Sequence, residues 1–66
     1  MADAKTIGQR LTKLRGEKPR SEVLKHVRIT YSALSNYECG LRIPRDEIKV
    51  DLARYYGKTV EEIFFS

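Results

Sequence analysis

Apolar residues recur every three or four positions along this chain, in short runs bounded by residues able to start or stop a helix. This spacing puts the apolar side chains of each run on one face of a helix, and no segment shows the strict alternation of a half-buried strand. A chain of 66 residues has room for one small hydrophobic core. The sequence therefore predicts an all-α fold of five short helices in a single domain, residues 1–66.

Two helices are predicted in the first part of the chain. Thr6 and Gln9 form a T-x-x-Q capping box, and the first helix is predicted from about Ile7 to Glu17. Pro19 suits the first position of a second helix of about eight residues. A tight connection through residues 28–29 should then lead into the third helix.

The later helices also have boundary signals. Thr30 is a good N-cap for the third helix, and Gly40 can take the left-handed conformation that ends it. The fourth helix begins with acidic residues and ends at Gly57. Thr59 and Glu62 form a second capping box, which opens a last helical turn carrying Ile63 and Phe64. The residues predicted to face the core are Ile7, Leu11, Leu14, Val23, Leu24, Val27, Leu34, Tyr37, Ile48 and Leu52, with Tyr55 and Tyr56 packing in the core or at its rim.

Charge is distributed unevenly along the chain. Residues 1–45 carry ten Lys or Arg residues against four acidic ones, a net charge of +6, whereas residues 46–66 carry three against five, a net charge of −2. This asymmetry is expected if the N-terminal two thirds contact a polyanion. A solvated helical surface with no ligand is the alternative interpretation.

Several functional classes find no support in the sequence. No apolar run approaches the roughly 18 residues that span a bilayer, and the start of the chain lacks the apolar centre of a signal peptide, so a cytoplasmic protein is expected. The single Cys39 has no neighbouring Cys or paired His, so neither a disulfide nor a metal site is expected. An enzyme is not expected either, since there is no Gly-rich phosphate loop and no pair of catalytic carboxylates.

The segment TYSALSNYECG, residues 30–40, predicts a helix with almost no charge. A helix that enters the major groove of DNA must offer hydrogen-bond donors and acceptors to base edges. The candidate base contacts face outward on the predicted helix or flank its buried side; they are Tyr31, Ser32, Ser35 and Asn36. A polar surface helix without a ligand is the alternative.

Basic and hydroxyl side chains bracket this helix in the sequence. Phosphate contacts are needed on either side of a groove, and the candidates are Arg20, Thr30, Arg42 and Arg45. Surface arginines without a ligand are the competing interpretation. Glu38, the only acidic residue between Glu22 and Asp46, would repel DNA unless an arginine of the first helix neutralised it.

A family resemblance extends from Ile7 to Phe65. The runs IGQRLTKLRGEK, SEVLKHVRITYSALSNYECGLRIPRDEIKV and LARYYGKTVEEIFF resemble the phage-repressor-like, xenobiotic-response-element-type helix-turn-helix regulators. The motifs LR, LSNYE-x-G, IP, LA-xx-YG and VEEIFF are specific as a set. The resemblance implies a five-helix, lambda-repressor-like DNA-binding domain with a helix-turn-helix at about residues 19–39.

The resemblance also implies roles for individual residues. In this family the start of helix three reads bases, which assigns base contacts to Tyr31, Ser32 and Asn36. Arg20 and Arg42 fall at positions that contact the phosphate backbone.

An internal ion pair between helices one and three is implied as well, and it falls on Arg15 and Glu38. Three positions depart from the family pattern. Arg20 stands where many members have Gln. Leu24 stands where a small Ala lets helices two and three approach closely, and Arg28 stands where a Gly commonly makes the turn.

The residues and the resemblance together predict a sequence-specific DNA-binding transcriptional regulator, a repressor of phage or mobile-element type. It is expected to bind a double-stranded operator as a homodimer with a contact through Phe64 and Phe65. No cofactor, metal or small-molecule effector is expected. The alternative is a protein-binding module, antitoxin-like or an adaptor, that uses the last helix and the same two phenylalanines.

Overall fold

The computed structural model describes residues 1–66, and its secondary structure is entirely helical. The predicted all-α fold is therefore confirmed. None of the helices has the length and apolar character needed to span a bilayer. In chain order the helices are α1 (Ala4–Arg15), α2 (Arg20–Leu24), α3 (Tyr31–Glu38), α4 (Asp46–Tyr56) and α5 (Glu61–Phe65), the last a short π-helical segment.

The helices enclose one hydrophobic core. Leu34 and Tyr37 face inward from α3, as their spacing predicts. Leu14 and Leu24, which were also predicted to face the core, are only partly buried against it, as are Tyr55 and Tyr56 at its rim. The buried residues of the core are Ile7, Leu11, Val23, Val27, Leu34, Tyr37, Ile48, Leu52, Ala53, Ile63 and Phe64.

Gly8 allows α1 and α3 to approach backbone to backbone. A Cβ atom at this position would lie 2.5 Å from the carbonyl oxygen of Glu38 and 2.8 Å from that of Tyr37. Only a glycine fits without displacing one helix from the other. The close approach also brings Arg15, about two turns further along α1, alongside α3.

The first helix begins earlier than predicted. Asp3 is the N-cap of α1, and its carboxylate accepts a hydrogen bond of 2.8 Å from the backbone N–H of Thr6. This hydrogen bond lowers the pKa of Asp3. The predicted capping box of Thr6 and Gln9 is therefore wrong. The backbone N–H of Ala2 bonds to the carbonyl oxygen of Phe64 at 3.0 Å, which holds the preceding segment extended against α5 and favours the earlier start.

The second helix is shorter than predicted, with five residues, and Pro19 is its N-cap rather than its first residue. Beyond Leu24 the backbone N–H groups of residues 25 and 26 bond to carbonyls three residues back, which tightens and ends the helix. Thr30 must be extended, with φ −82° and ψ 161°, to cap α3. The α2–α3 connection therefore runs over residues 25–30, and Arg28 needs no left-handed backbone conformation there.

The first helix ends at Arg15, before Gly16, rather than at Glu17. The boundary predictions for α3, α4 and α5 are confirmed. The Thr30 hydroxyl accepts a hydrogen bond of 3.0 Å from the third backbone N–H of α3. Gly40 and Gly57 are left-handed, with φ of 76° and 67°, after α3 and α4. Thr59 and Glu62 form the predicted reciprocal capping box, with hydrogen bonds of 2.8 and 3.1 Å.

Arg10 holds α5 against α1. Its guanidinium donates to the carbonyl oxygens of Ile63 and Ser66, at 2.9 and 2.7 Å, and to that of Glu62 at 3.4 Å. Carbonyls at the end of a helix lack partners within the helix, so these bonds satisfy groups that would otherwise be open. The last turn is thereby fixed with Ile63 and Phe64 in the core.

Candidate nucleic-acid interface

The outward face of α3 carries polar side chains without charge. Tyr31 and Ser32 are exposed, whereas Ser35 and Asn36 are partly buried. Ser32 and Asn36 are one turn apart and share a face, and each lies two residues from the buried Leu34, roughly 200° around the helix. None of their polar atoms is both buried and unpaired. The donors and acceptors of Ser32, Ser35 and Asn36 are therefore open to an external partner, whereas the Tyr31 hydroxyl oxygen accepts from Arg20.

A cleft of about 420 Å³ opens beside α3, and arginines dominate its charge. Arg28 reaches it from the α2–α3 connection, and Arg42 and Arg45 reach it from the α3–α4 loop. No acidic side chain lines the cleft. Its apolar side chains are Ile29, Ala33, Tyr37, Ile43 and Ile48.

The three arginines of the cleft have no acidic partner. The Arg42 guanidinium lies over the ring of Tyr37, with Cζ 5.9 Å from the centroid, a contact that leaves its N–H groups free. An anion in the cleft would neutralise neighbouring like charges and accept hydrogen bonds from several of them. The cations that do form ion pairs in the protein are Arg15, Arg20, Lys25, His26, Lys49 and Arg54.

The cleft brings together three of the four predicted phosphate contacts, Thr30, Arg42 and Arg45. The Thr30 hydroxyl oxygen caps α3, and its proton remains available to an anion. Arg28 also lines the cleft and was not among the predicted phosphate contacts. The sequence signal for this position is the arginine that stands in place of the expected turn glycine.

Arg20 lies away from this cleft, on the opposite flank of α3. Its Nε donates to Glu38 Oε1 at 2.8 Å, and its Nη1 lies 3.3 Å from the Tyr31 hydroxyl oxygen. Its side chain is 24% exposed. The structure therefore separates Arg20 from the other predicted phosphate contacts and directs its Nε and Nη1 donors to protein groups.

The ion pair predicted between Arg15 and Glu38 is present. Nε of Arg15 lies 2.8 Å from Oε2 of Glu38, and Nη2 lies 3.1 Å from Oε1. The Glu38 side chain is 1% exposed, and its carboxylate is shared with Arg20. The hydrogen bonds to Glu38 are the main cause that raises the pKa of both arginines. This cluster joins α1, α2 and α3, and nothing in the local sequence indicates that Arg20 is its third member.

The predicted dimer contact needs correction at Phe64. This side chain is fully buried in the core, so it is not available to a partner. Phe65, the next residue along the turn, lies outside the core. Phe65 is 42% exposed, and the Lys49 ammonium lies 5.1 Å from the centroid of its ring.

A second cleft, of about 510 Å³, lies between α1 and the last turn. Its cations are Arg10, Lys13 and Lys58, and Glu62 also lines it. The Arg10 guanidinium is already bound to backbone carbonyls, and Glu62 adds a negative charge. We therefore expect this second cleft to bind an anion less strongly than the cleft beside α3 does.

The candidate interface thus consists of the uncharged outward face of α3 and its two flanks. One flank is the cleft that contains three arginines and no acidic side chain, and the other carries the Arg20–Tyr31 pair. Comparison of the chain with protein-family models, curated proteins and solved structures found no match.

Proposed function

We propose that this chain is a sequence-specific DNA-binding protein that inserts α3 into the major groove of a duplex. In this proposal α2 and α3 form the helix-turn-helix of a lambda-repressor-like domain. The protein is then a cytoplasmic transcriptional regulator, a repressor of phage or mobile-element type, and it binds its operator as a homodimer.

The observation that carries the proposal is the arginine cleft beside an uncharged helix face. Phosphates line both edges of the major groove, and contacts to them fix how a protein docks. Guanidinium groups bind phosphate oxygens in a bidentate manner, and Arg28, Arg42 and Arg45 have no competing carboxylate. A phosphate in the cleft would hold the adjacent α3 at the edge of the groove.

Ser32 and Asn36 are best placed to contact bases. They share the most outward face of α3, where no charged side chain competes for the groove. The side-chain amide of Asn36 can accept a hydrogen bond from N6 of an adenine and donate one to N7, which gives a bidentate contact. The Ser32 hydroxyl can donate or accept and is less selective.

The protein-binding alternative loses part of its support. It relied on the two phenylalanines near the end of the chain, and Phe64 is buried. Phe65 is left as a single partly exposed side chain beside Lys49. DNA binding is therefore the better supported function.

The test uses duplexes selected from a pool of random sequence, with affinities measured over a salt series. Arg28→Ala, Arg42→Ala and Arg45→Ala should each weaken binding to all sequences about equally. Each should also lower the slope of log affinity against log salt by roughly one unit for every phosphate that the variant no longer binds. Arg54→Ala is the matched control, since it removes the same charge from an exposed arginine that lies outside the cleft.

Asn36→Ala should reduce sequence specificity rather than the affinity for every duplex. We expect a loss of about 1–3 kcal/mol on the selected site, with little change on unselected duplex and an unaltered salt slope. The proposal is contradicted if Asn36→Ala loses the same factor on both duplexes or loses nothing. It is also contradicted if the cleft variants behave like Arg54→Ala.

A further inference from the structure

Tyr31, the first residue of α3, is held from one side by Arg20. Nη1 of Arg20 lies 3.3 Å from the Tyr31 hydroxyl oxygen, and its Cζ lies 5.5 Å from the centroid of the ring. Tyr31 is nevertheless 57% exposed. A fixed and exposed tyrosine therefore stands at the end of α3 that a docked recognition helix turns towards bases.

Arg20 is itself fixed by a buried carboxylate. Its Nε lies 2.8 Å from Oε1 of Glu38, and the same carboxylate binds Arg15 of α1. The planar guanidinium fork has a set orientation once two of its nitrogens are bound. A continuous chain of hydrogen bonds thus connects α1 to Tyr31 through Glu38 and Arg20.

The direction of hydrogen bonding determines what the Tyr31 hydroxyl can do. A guanidinium only donates, so the hydroxyl accepts from Arg20 and keeps its own proton for a partner outside the molecule. Hydrogen bonds in series polarise one another, and a nearby positive charge repels a second donor. Tyr31 is therefore suited to an external acceptor.

We propose, on the basis of the proposed DNA-binding function, that Arg20 is a positioning residue that makes Tyr31 a donor-only reader of one base. In the major groove, guanine offers the acceptors N7 and O6, adenine offers N7 and thymine offers O4, whereas cytosine offers only the N4 amino donor. Tyr31 therefore bonds to guanine, adenine or thymine at its position and rejects cytosine. Arg20 acts through the tyrosine and contacts no phosphate.

The first test selects binding sites from a duplex pool of random sequence with the wild-type protein and three variants. Tyr31→Phe keeps the ring and removes the hydroxyl, Arg20→Lys keeps the charge and removes the fork, and Arg20→Ala removes both. We expect each variant to lose the discrimination against cytosine at one position only. Binding to the wild-type sites should fall about five- to tenfold, the range of one hydrogen bond, with an unchanged salt slope.

A phosphate contact at Arg20 would give different results. Arg20→Lys would then keep the wild-type sequence profile, and Arg20→Ala would lower the salt slope by roughly one unit. Either result overturns the proposal, as does a Tyr31→Phe profile identical to that of the wild type. If Arg20→Ala does not fold, Tyr31→Phe decides, because it leaves the bond between Arg20 and Glu38 in place.

The second test uses the free protein without DNA. The Nε–Hε group of Arg20 donates to a buried carboxylate, so its NMR signal should exchange slowly with water, and Glu38→Gln should speed the exchange. Tyr31→Phe should leave it slow. Fast exchange in the wild type overturns the geometry on which the proposal rests. If exchange is slow but the wild type enriches no sequence, the proposed function fails and the reading role fails with it.

Discussion

Glu38 shows how a basic surface can contain an acidic residue without repelling a polyanion. Its side chain is 1% exposed and binds both Arg15 and Arg20, so the cluster carries a net positive charge. A buried carboxylate is costly to desolvate, and the cost is offset only while charged donors surround it. With two such donors, Glu38 keeps one when the other is removed.

This sharing makes the two arginines interdependent. Arg15→Ala or Arg20→Ala alone should each cost less than the roughly 3–5 kcal/mol typical of breaking an isolated buried pair. The double variant should lose more than the two single losses combined, because Glu38 is then left without a partner. Denaturant unfolding of the wild type, the two single variants and the double variant measures these losses of stability. Losses that add to within about 0.5 kcal/mol would contradict the shared carboxylate.

The phenol of Tyr56 should make the stability of the protein depend on pH in the alkaline range. Burial, followed by the charge of Glu38, raises its pKa from 10.0 to about 12. Above pH 10.0 the unfolded chain loses the phenol proton while the folded protein keeps it, so this contribution to stability is full below pH 10.0 and is lost as pH rises towards 12. Tyr56→Phe should lose less stability over that range. The exposed Tyr31→Phe is the control, and equal slopes for Tyr56→Phe and wild type would contradict the prediction.

At the scale of the helices, the contact between α1 and α3 depends on the absence of a side chain at Gly8. Gly8→Ala should destabilise the protein by about 1–3 kcal/mol, since the added methyl group meets carbonyl oxygens of α3 that cannot move independently. The intrinsic helix preference for alanine acts in the opposite direction, so any loss of stability reports the clash. Gln9→Ala, at the exposed neighbouring position of α1, is the matched control in thermal unfolding. Equal stability of the Gly8→Ala variant and the control would contradict the close approach.

Helix boundaries were predictable where the deciding groups are close in sequence. The Thr30 cap and the box of Thr59 and Glu62 involve residues three positions apart, and the structure contains both. Asp3 was missed because Thr6 offered a competing local cap, and a contact with Phe64 near the other end of the chain favoured Asp3.

The candidate site was predictable to a similar extent. The outward polar face of α3 follows from helical spacing, and the positions of Arg42 and Arg45 follow from the loop after it. The orientation of Arg20 does not, because Glu38 lies 18 residues away along the chain and binds it only in the folded state. The position of Arg28 in the cleft does not follow from the sequence either. It depends on the path of the α2–α3 connection, which local sequence does not define.

At the scale of the whole molecule, size limits how much DNA one copy can cover. The longest Cα extent is 27 Å, less than the roughly 34 Å between half-sites one helical turn apart. In the proposed function, two copies with their long axes along the duplex would leave a gap between their backbones that side chains could bridge. Phe65 is the side chain of the predicted dimer contact that is still available to do so.

We expect one copy in dilute solution to become two on a palindromic selected duplex, as measured by sedimentation with and without DNA. Phe65→Ser should reduce the cooperativity of binding to the palindrome more than the affinity for a single half-site. Val50→Ser, at another exposed apolar position, is the control. A protein that stays monomeric on the palindrome at saturating concentration would contradict the prediction.

The bonds from Arg10 to the last turn also bear on how the protein is made. They connect residues 52 to 56 positions apart, and Ile63 and Phe64 enter the core beside them. The entropy cost of closing so long a loop is offset only by contacts between its two ends, so both ends must be present. During synthesis α1 can pack against α3 first, but it lacks its contacts with Ile63 and Phe64 until the last turn emerges from the ribosome. Completion of the core therefore follows the translation of the last turn.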